Sequence, residues 1–444
     1  MVIVVGAGPA GSIAARTLAL AGVPVTLLER APEFPRNKPC GGGMSIRVLR
    51  RFPWLESALT AIDTLRLSRL YLEGPDNTSI TITSDEPAVL MIRRVEFDAV
   101  LVRQAIDAGA ALVTGADVVR ASQDDEGVTL ESRDGRRFRA AVVIAADGVH
   151  SIVARRLGLN PGWPATSVAL DMMEETPVNV LDADRSTLWV SYGYTPANAS
   201  CSANGERIDE TTGRRGHPHM RLEPGDGRRS AAGYAYIFPK RNHVNVGIGY
   251  VLEHFRREIS EKPIEVQAGF VRHLRDRGLA RGHSEPANFT PFIIPVGGPL
   301  ARTGDRRVLL AGDAGGFVNG FTAEGIYYAM VSGELAARTV LNTSARAVAG
   351  GELARYYRQA CDREFGAELT DSVRIQRFLF ADRRRIGRVI RAAQRSSVQT
   401  RIVLDYAMGR ISYRTARRRF VVRSPLAALQ LLVAQRSTAA GATS

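Results

Sequence analysis

The sequence predicts an α/β chain, α+β overall, that opens on a parallel sheet, and three observations lead to this fold class. Residues 2–21 read as a buried β-branched strand, a glycine-rich turn and a helix in immediate succession. A second apolar strand follows at 25–28 and ends in Glu29. Two later strand-like runs, 142–146 and 307–311, are each followed by a paired glycine and aspartate. This order is typical of a Rossmann-type domain.

The glycine turn has the spacing G-x-G-x-x-G, and each glycine has a physical role. Gly6 permits the tight turn, Gly8 lets the backbone approach a pyrophosphate, and Gly11 allows the helix to pack closely on the strand. The pyrophosphate then lies at the helix amino terminus, where free N–H groups favour an anion. An acid at position 29 favours a ribose without a 2′-phosphate, as in FAD or NAD. The predicted contacts of this segment are Gly6, Gly8, Ala10, Gly11, Glu29 and Arg30.

The two later glycine-aspartate segments indicate FAD rather than NAD, because they resemble a known flavoprotein family. Asp147-Gly148 and Gly312-Asp313, with a helix opening near Glu324, resemble the flavoprotein family that includes para-hydroxybenzoate hydroxylase and the geranylgeranyl reductases. The resemblance implies that Asp313 binds the ribityl chain and that the helix points its positive end at the isoalloxazine ring. The contacts implied are Asp147, Gly148, Gly312, Asp313, Gly325 and Ile326.

The same family places an arginine near the flavin phosphates, and this arginine comes from a helix between the first glycine motif and Asp147. That helix opens at Arg93 and runs to Ala108, so Arg94 and Arg103 are the candidates. An exposed helix arginine without a ligand is the alternative for either residue.

The segment Lys38–Gly43 and the strand Gly233–Lys240 resemble the geranylgeranyl reductase branch, whose members reduce isolated C=C bonds of isoprenoid chains. Three successive glycines expose backbone N–H groups and leave space for a flat ring. The aromatic residues of the strand alternate and therefore line one face, which suits an apolar substrate or a plain core strand. We expect Cys40, Gly41 and Gly42 beside the flavin. We expect the substrate against Gly43, Tyr234, Tyr236, Phe238 and Pro239.

Alkene reduction needs a hydride, a proton and a dry, oriented site. Cys40, Tyr236 or a water near the glycines are the candidate proton donors, and Cys40 has a space-filling role as its alternative. A second dinucleotide fingerprint is missing, so the electrons come from transiently bound NAD(P)H or from a reduced protein such as a ferredoxin.

The domains are predicted to be discontinuous. The FAD-binding domain takes residues 1–66, 93–165 and 291–345, and an antiparallel-sheet substrate domain takes 67–92 and 166–290. Within the latter, 196–232 is rich in Gly, Arg, Ser and Asn, which predicts a flexible insertion in which Cys201 and His217 carry no chemistry. A helical basic region, 346–437, and a tail, 438–444, complete the chain.

The charge is concentrated at the carboxyl end. The chain is formally +14, and residues 346–444 hold 20 arginines against 7 acidic residues. Ile386, Val389, Ile390 and Ala393 fall at helical spacing with arginines opposite, which suits peripheral contact with an anionic membrane. A solvated arginine face is the alternative, and nucleic acid is not expected because no recognition motif accompanies the basic patch.

The remaining composition bounds the location. No apolar run approaches the roughly 20 residues of a membrane-spanning helix, and three scattered cysteines fit a reducing compartment without a zinc site. We therefore expect a cytoplasmic protein, in peripheral contact with the inner face of the cell membrane.

Three functions remain open at this point. The first is a reductase of a geranylgeranyl lipid, prenyl-quinone tail or similar isoprenoid. The second is an FAD-dependent NAD(P)H monooxygenase that hydroxylates or epoxidises an aromatic or isoprenoid substrate. The third is a non-catalytic flavin-bearing protein of the membrane surface.

Overall fold

The computed structural model describes residues 1–75, 78–192, 194 and 232–423. The predicted insertion lies outside the described residues apart from Ala232, and so do Cys201, His217 and everything after Arg423.

The strands alternate with helices only in part of the chain. The strands are β1 Val2–Val5, β2 Val25–Leu28, β3 Gly43–Ser45, β4 Leu65–Leu67, β5 Arg69–Glu73, β6 Ser79–Thr83, β7 Val89–Met91, β8 Ala111–Val113, β9 Val118–Gln123, β10 Val128–Ser132, β11 Arg137–Ala140, β12 Val142–Ala145, β13 Ala169–Pro177, β14 Leu181–Ala183, β15 Thr187–Tyr192, β16 Gly233–Pro239, β17 His243–Val251, β18 Ala280–Gly282, β19 Phe289–Ile294, β20 Gly304–Asp305 and β21 Val308–Leu310.

The helices dominate the carboxyl-terminal third. They are α1 Pro9–Leu20, α2 Arg47–Arg51, α3 Leu55–Ala58, α4 Arg94–Asp107, α5 Ile152–Arg156, α6 Leu252–Glu258, α7 Pro263–Asp276, α8 Ile326–Asn342, α9 Ala345–Ala349, α10 Leu353–Cys361, α11 Ala367–Phe380, α12 Arg383–Arg395, α13 Ser397–Ala407 and α14 Tyr413–Arg423. A π-helical turn, Asp362–Gly366, joins α10 to α11. Short 3₁₀ turns occur at Leu59–Ala61, Ala165–Ser167, Pro286–Asn288 and Gly312–Gly315.

The first sheet has the order β20-β21-β12-β1-β2-β8, and the edge strand β20 is its antiparallel member. Strand β1 pairs in parallel with β2 and β12, and all four of its residues are buried. Buried β-branched strands are expected in a parallel sheet covered on both faces. A Cβ on Gly11 would lie 1.9 Å from the Gly6 carbonyl oxygen, so α1 packs on β1 as its glycine predicts. The predicted Rossmann-type fold is confirmed.

A seven-stranded sheet has the order β19-β13-β17-β16-β15-β5-β6, and its pairs are antiparallel except β15 with β5. On one face, Ala235 and Ile237 of β16 join a core with Phe270 of α7. The opposite face of β16 carries the alternating aromatic residues toward the first sheet. Strand period 2 thus divides β16 between core and cavity.

The part of the predicted helical region that the structure describes, residues 346–423, is mainly helical. Ile386 and Ile390 of α12 are buried with Leu379 and Phe380. Val389, which falls at the same helical spacing, is 50% exposed. The buried stripe of α12 is narrow, since the helix rests on its neighbours through Ile386, Gly387 and Ile390. Across the described residues, no helix combines the length and apolar character that a membrane span requires.

Candidate active site

One cavity of about 490 Å³ lies between the carboxyl ends of the parallel strands and the aromatic face of the second sheet. Ligands of open α/β sheets bind at this edge. Most of the predicted site residues line it: Gly6, Gly8, Ala10, Glu29, Arg30, Cys40, Gly41, Gly42, Gly43, Arg94, Asp147, Gly148, Tyr234, Tyr236, Phe238, Gly312, Asp313, Gly325 and Ile326. Gly11 lies on the side of α1 that packs against Gly6 and does not line the cavity. Pro239 is buried and does not line it either. Arg103 is not brought to the cavity.

The amino terminus of α1 is built to receive an anion. Its N-cap is Gly8, which offers no side-chain cap, and its first turn contains no acidic residue. The N–H groups of this turn therefore remain available to a phosphate. Glu29 is buried beside it and accepts hydrogen bonds from the backbone N–H groups of Ala7 (2.9 Å) and Ala31 (3.0 Å). This tie orients the carboxylate at the cavity wall, where a ribose diol would approach.

Arginines on α4 differ in role because of helix geometry. Arg94 is buried and holds the Asp98 carboxylate through two hydrogen bonds, 2.7 and 2.9 Å long. Arg36 reaches the same carboxylate at 3.1 Å and also lines the cavity. Arg103 lies nine residues after Arg94, about half a turn around the helix. Its side chain is 75% exposed and pairs with Asp107. We therefore correct the prediction that Arg103 is a cofactor contact.

Two aspartates follow strands of the parallel sheet. Asp147 Oδ2 accepts hydrogen bonds from the N–H groups of Ile152 (2.8 Å) and Val153 (3.2 Å), whereas Oδ1 is buried without a partner. Burial raises the pKa of Asp147. Asp313 is half-buried in the cavity wall, and burial also raises its pKa, against the charges of Lys38 and Arg94. Both carboxyl groups have acceptor capacity that points to a ligand.

The amino terminus of α8 is the second uncapped helix end at the cavity. Gly325 is its N-cap, without a side-chain cap, and the first turn has no acidic residue. The Glu324 carboxylate is held aside, since it accepts a hydrogen bond from the Ser45 N–H at 2.9 Å. A flat ring with a developing negative charge is stabilised at such a terminus. The two free helix ends, the orphaned Asp147 oxygen and the cavity between them fit FAD.

The glycine segment is held by the second sheet. The Gly41 carbonyl accepts a hydrogen bond from Lys240 Nζ, and the Cys40 carbonyl accepts one from Asn245 Nδ2 at 3.2 Å. A Cβ on Gly41 would lie 2.7 Å from Phe238 Cδ2. The ring that approaches this glycine within the protein is therefore that of Phe238. Gly42 has φ +67°, a conformation that glycine adopts without strain.

Aromatic rings continue from the glycine segment to the carboxyl-terminal helices. Centroids of neighbouring rings are 4.3 to 6.1 Å apart, which are contact distances for aromatic pairs. In order along the row they are Phe238, Tyr236, Tyr234, Tyr192, Phe321 and Phe380. All of these residues except Tyr192 line the cavity, which therefore has an aromatic wall longer than one ring.

Asp171 is the functional candidate that sequence reasoning missed. The Tyr236 hydroxyl donates to its carboxylate, with Oη–Oδ2 and Oη–Oδ1 distances of 3.1 and 3.3 Å. Burial raises the pKa of Asp171 to about 7, against its hydrogen bond with Tyr236. Burial also raises the pKa of Tyr236 well above its ordinary value. The site thus contains a carboxyl group that holds a proton near neutral pH.

Lys38 completes the charged part of the cavity. Its Nζ lies 2.9 Å from the centroid of the Phe292 ring. Burial and the nearby charge of Arg94 lower the pKa of Lys38 to about 7, against the opposing charge of Asp313. The only sequence feature that could have pointed to Lys38 as a functional residue is its position two residues before Cys40. No comparable feature marks Asp171 or Arg36. In the described residues no cluster of His, Cys, Asp and Glu is suited to a metal ion.

Comparison with known proteins identifies the cofactor and the relatives. Residues 1–213 match the model of an FAD binding domain. The chain is 30% identical to digeranylgeranylglycerophospholipid reductase 2 of Methanopyrus kandleri over 82% of this chain and 83% of that protein. It is 30% identical to menaquinone reductase of Mycobacterium tuberculosis over 76% of this chain and 75% of that one.

Among solved structures, a geranylgeranyl bacteriochlorophyll reductase-like protein from Thermoplasma acidophilum shares the fold. Its TM-score is 0.71 at 19% identity, over 98% of each chain. FAD is the cofactor that the matched domain indicates.

Proposed function

Because this chain belongs to the geranylgeranyl reductase family of FAD-dependent oxidoreductases, we propose that it saturates C=C bonds of an isoprenoid chain. The observation that carries the proposal is the aromatic row, which runs from Phe238 at the glycine segment to Phe380 beneath the carboxyl-terminal helices. An apolar chain many carbons long matches such a wall, whereas a single aromatic ring would use only one end of it.

Reduced FAD, when bound, supplies the hydride for one carbon of the double bond. The protein must then orient the alkene, exclude water and deliver a proton to the other carbon. Tyr236 and Phe238 lie side by side in the cavity wall, with ring centroids 4.3 Å apart and ring planes tilted by 38°, and offer the chain an aromatic surface. The glycine segment lies directly against them through Gly41.

We assign the proton to the Asp171–Tyr236 pair. The Tyr236 hydroxyl gives its proton to the substrate carbon, and the Asp171 carboxyl group returns one to the phenol oxygen. One hydride and one proton are thereby added, and the ionised Asp171 recovers its proton from solvent, through Lys38 on the same cavity wall. Without a protonated Asp171, the phenolate left by Tyr236 would face a carboxylate in a buried site, which is costly.

Cys40 is the alternative donor. It is half-buried, and its sulfur accepts a hydrogen bond from the Gly42 N–H at 3.4 Å. Asn245 and Lys240 also donate hydrogen bonds to the carbonyl groups of Cys40 and Gly41. These contacts support a role for Cys40 in fixing the conformation of the glycine segment. A Cys40→Ala variant with most of its activity would agree with shaping, and an inactive one that still binds FAD would make Cys40 the donor.

The test is an anaerobic single-turnover assay with chemically reduced protein and a geranylgeranyl lipid or menaquinone. We expect mass spectrometry to show a gain of two hydrogens per reduced double bond. Product with an added oxygen atom, formed only in air, would instead identify a monooxygenase. No product with any isoprenoid, from flavin that is reduced and reoxidised normally, would contradict the proposal.

The same preparation identifies the source of electrons, for which we propose NAD(P)H or a reduced protein. Bleaching of the flavin is followed after mixing with NADH, NADPH or a reduced ferredoxin. Glu29 would bind the ribose of FAD, so it gives no information on whether the electron donor is NADH or NADPH.

A further inference from the structure

The charge of the chain lies on its last described helices. Residues 383–423 contain 13 arginines and a single acidic residue, Asp405. The formal charge of the whole chain is +14, so this short stretch accounts for nearly all of it. A positive charge of this density concentrates anionic partners at the surface that bears it.

Helix α12 presents four of its six arginines on one side. Arg384, Arg388, Arg391 and Arg395 recur at i, i+4, i+7 and i+11, which places them on one face. Ile386 and Ile390, on the other face, are only 3% and 5% exposed and anchor the helix to the protein.

Helix α14 combines charge with exposed apolar side chains. Arg414, Arg418, Val421 and Val422 fall at i, i+4, i+7 and i+8, opposite the buried Ala416. Val421 and Val422 are 43% and 72% exposed. A face of arginines and valines matches the interface of a bilayer, where headgroups take the charges and the acyl boundary takes the apolar groups.

The exposed apolar residues are concentrated in the same place. Among the residues that the structure describes, ten large hydrophobic side chains are exposed, and five of them lie in this region. Those five are Val389, Val398, Val403, Val421 and Val422. Nucleic acid would be attracted by the arginines alone, because its backbone offers nothing to the valines.

The cavity ends beside these helices. Gln376 and Phe380 of α11 and Ala407 of α13 belong to its lining. We propose that residues 383–423, which we call the basic helices, dock the protein on an anionic lipid bilayer. The docked orientation brings the far end of the cavity next to the membrane, so that the reacting chain need not cross water. The docking itself does not depend on the reaction that the cavity performs.

The experiment is flotation of the full chain, with FAD bound, on vesicles of phosphatidylcholine with and without phosphatidylglycerol. We expect binding to the anionic vesicles alone, weakening as salt is added. Arg388→Glu with Arg395→Glu should lower the partition coefficient at least about 20-fold, because each arginine near an anionic surface contributes roughly five-fold. Val421→Ser with Val422→Ser should lower it roughly five-fold at unchanged charge.

The matched control is Arg103→Glu with Arg133→Glu, which changes the net charge equally. Both side chains are 75% exposed and lie away from the basic helices. The control should bind as the unmodified protein does. Equal loss in the control, equal binding to neutral vesicles, or no binding to either overturns the proposal. Binding to duplex DNA without binding to vesicles would assign the surface to nucleic acid and also overturn it.

Discussion

The Tyr236 hydroxyl reaches the Asp171 carboxylate across an intervening strand, at an Oη–Oδ2 distance of 3.1 Å. Strand β17 lies between the strands that carry the two residues. The residue opposite Tyr236 on β17 is Gly247, and a Cβ there would lie 2.2 Å from Tyr236 Cζ. The phenol can cross the sheet surface only because this residue has no side chain.

Gly247→Ala is therefore expected to displace the Tyr236 phenol from Asp171. Turnover of the isoprenoid should fall about 100-fold or more, the usual contribution of a positioned general acid. FAD absorbance and affinity should stay close to those of the unmodified protein. Gly249→Ala is the matched change on the same strand, because its Cβ would lie 3.8 Å from Asp171 Oδ1, an ordinary van der Waals contact that displaces nothing. Equal turnover losses in the two variants would contradict this account.

The rate of proton delivery should fall as pH rises through about 7. Burial raises the pKa of Asp171 to about 7, and the carboxyl group donates only while protonated. Asp171→Asn should lose most activity and also this decline with pH. Lys38 faces the same cavity with a pKa of about 7, so Lys38→Gln is needed to separate the two groups. A decline that persists in Asp171→Asn and vanishes in Lys38→Gln would assign it to the lysine.

The same shift predicts a pH-dependent stability difference. The folded-state pKa of Asp171 lies above its unfolded value, so the folded chain loses stability as pH rises from about 4 to about 7. Asp171→Asn should be less affected over that range, and its stability relative to the unmodified protein should rise by up to a few kcal/mol. Urea unfolding at the two pH values measures the difference. A constant difference would show that Asp171 does not titrate there.

Arg94 and Arg103, on the same helix, should respond differently to truncation. Arg94→Ala leaves Asp98 buried with only Arg36 as a charged partner, and should cost about 3 kcal/mol of stability and weaken FAD binding. Arg103→Ala removes an exposed pair and should change stability by less than about 1 kcal/mol. Thermal unfolding and release of the yellow flavin report both effects. Similar flavin loss in both would return Arg103 to the cofactor site.

Filling the far end of the cavity should shorten the accepted substrate. Ala232 is 8% exposed, lines the cavity and packs with Phe380. Ala232→Leu should raise KM for a geranylgeranyl lipid and leave KM for a geranyl analogue nearly unchanged, since the short chain does not reach that end. The cost in stability should stay near 1–3 kcal/mol, about that of an overpacked core. An equal rise for both substrates would show that the chain does not extend toward Phe380.

Local patterns were sufficient for the cofactor half of the site. The strand, glycine turn and helix at 2–20 are specified by neighbouring residues, because β-branched runs, glycine spacing and helix formers act within a few positions. The alternation of Tyr234, Tyr236 and Phe238 likewise predicts one aromatic face, and that face lines the cavity. Asp147 and Asp313 lie two and three residues after strands that the sequence predicts.

Only the tertiary structure decided which distant groups meet. Asp171 and Tyr236 are 65 residues apart, and Lys240 and Gly41 are 199 apart. Nothing in the chain near Asp171 distinguishes it from any strand aspartate. Its proton affinity arises from burial, which is a property of the assembled sheets. The amino-acid order by itself determined the flavin-binding framework. The packing of the second sheet decided where the carboxyl group of Asp171 lies relative to that framework.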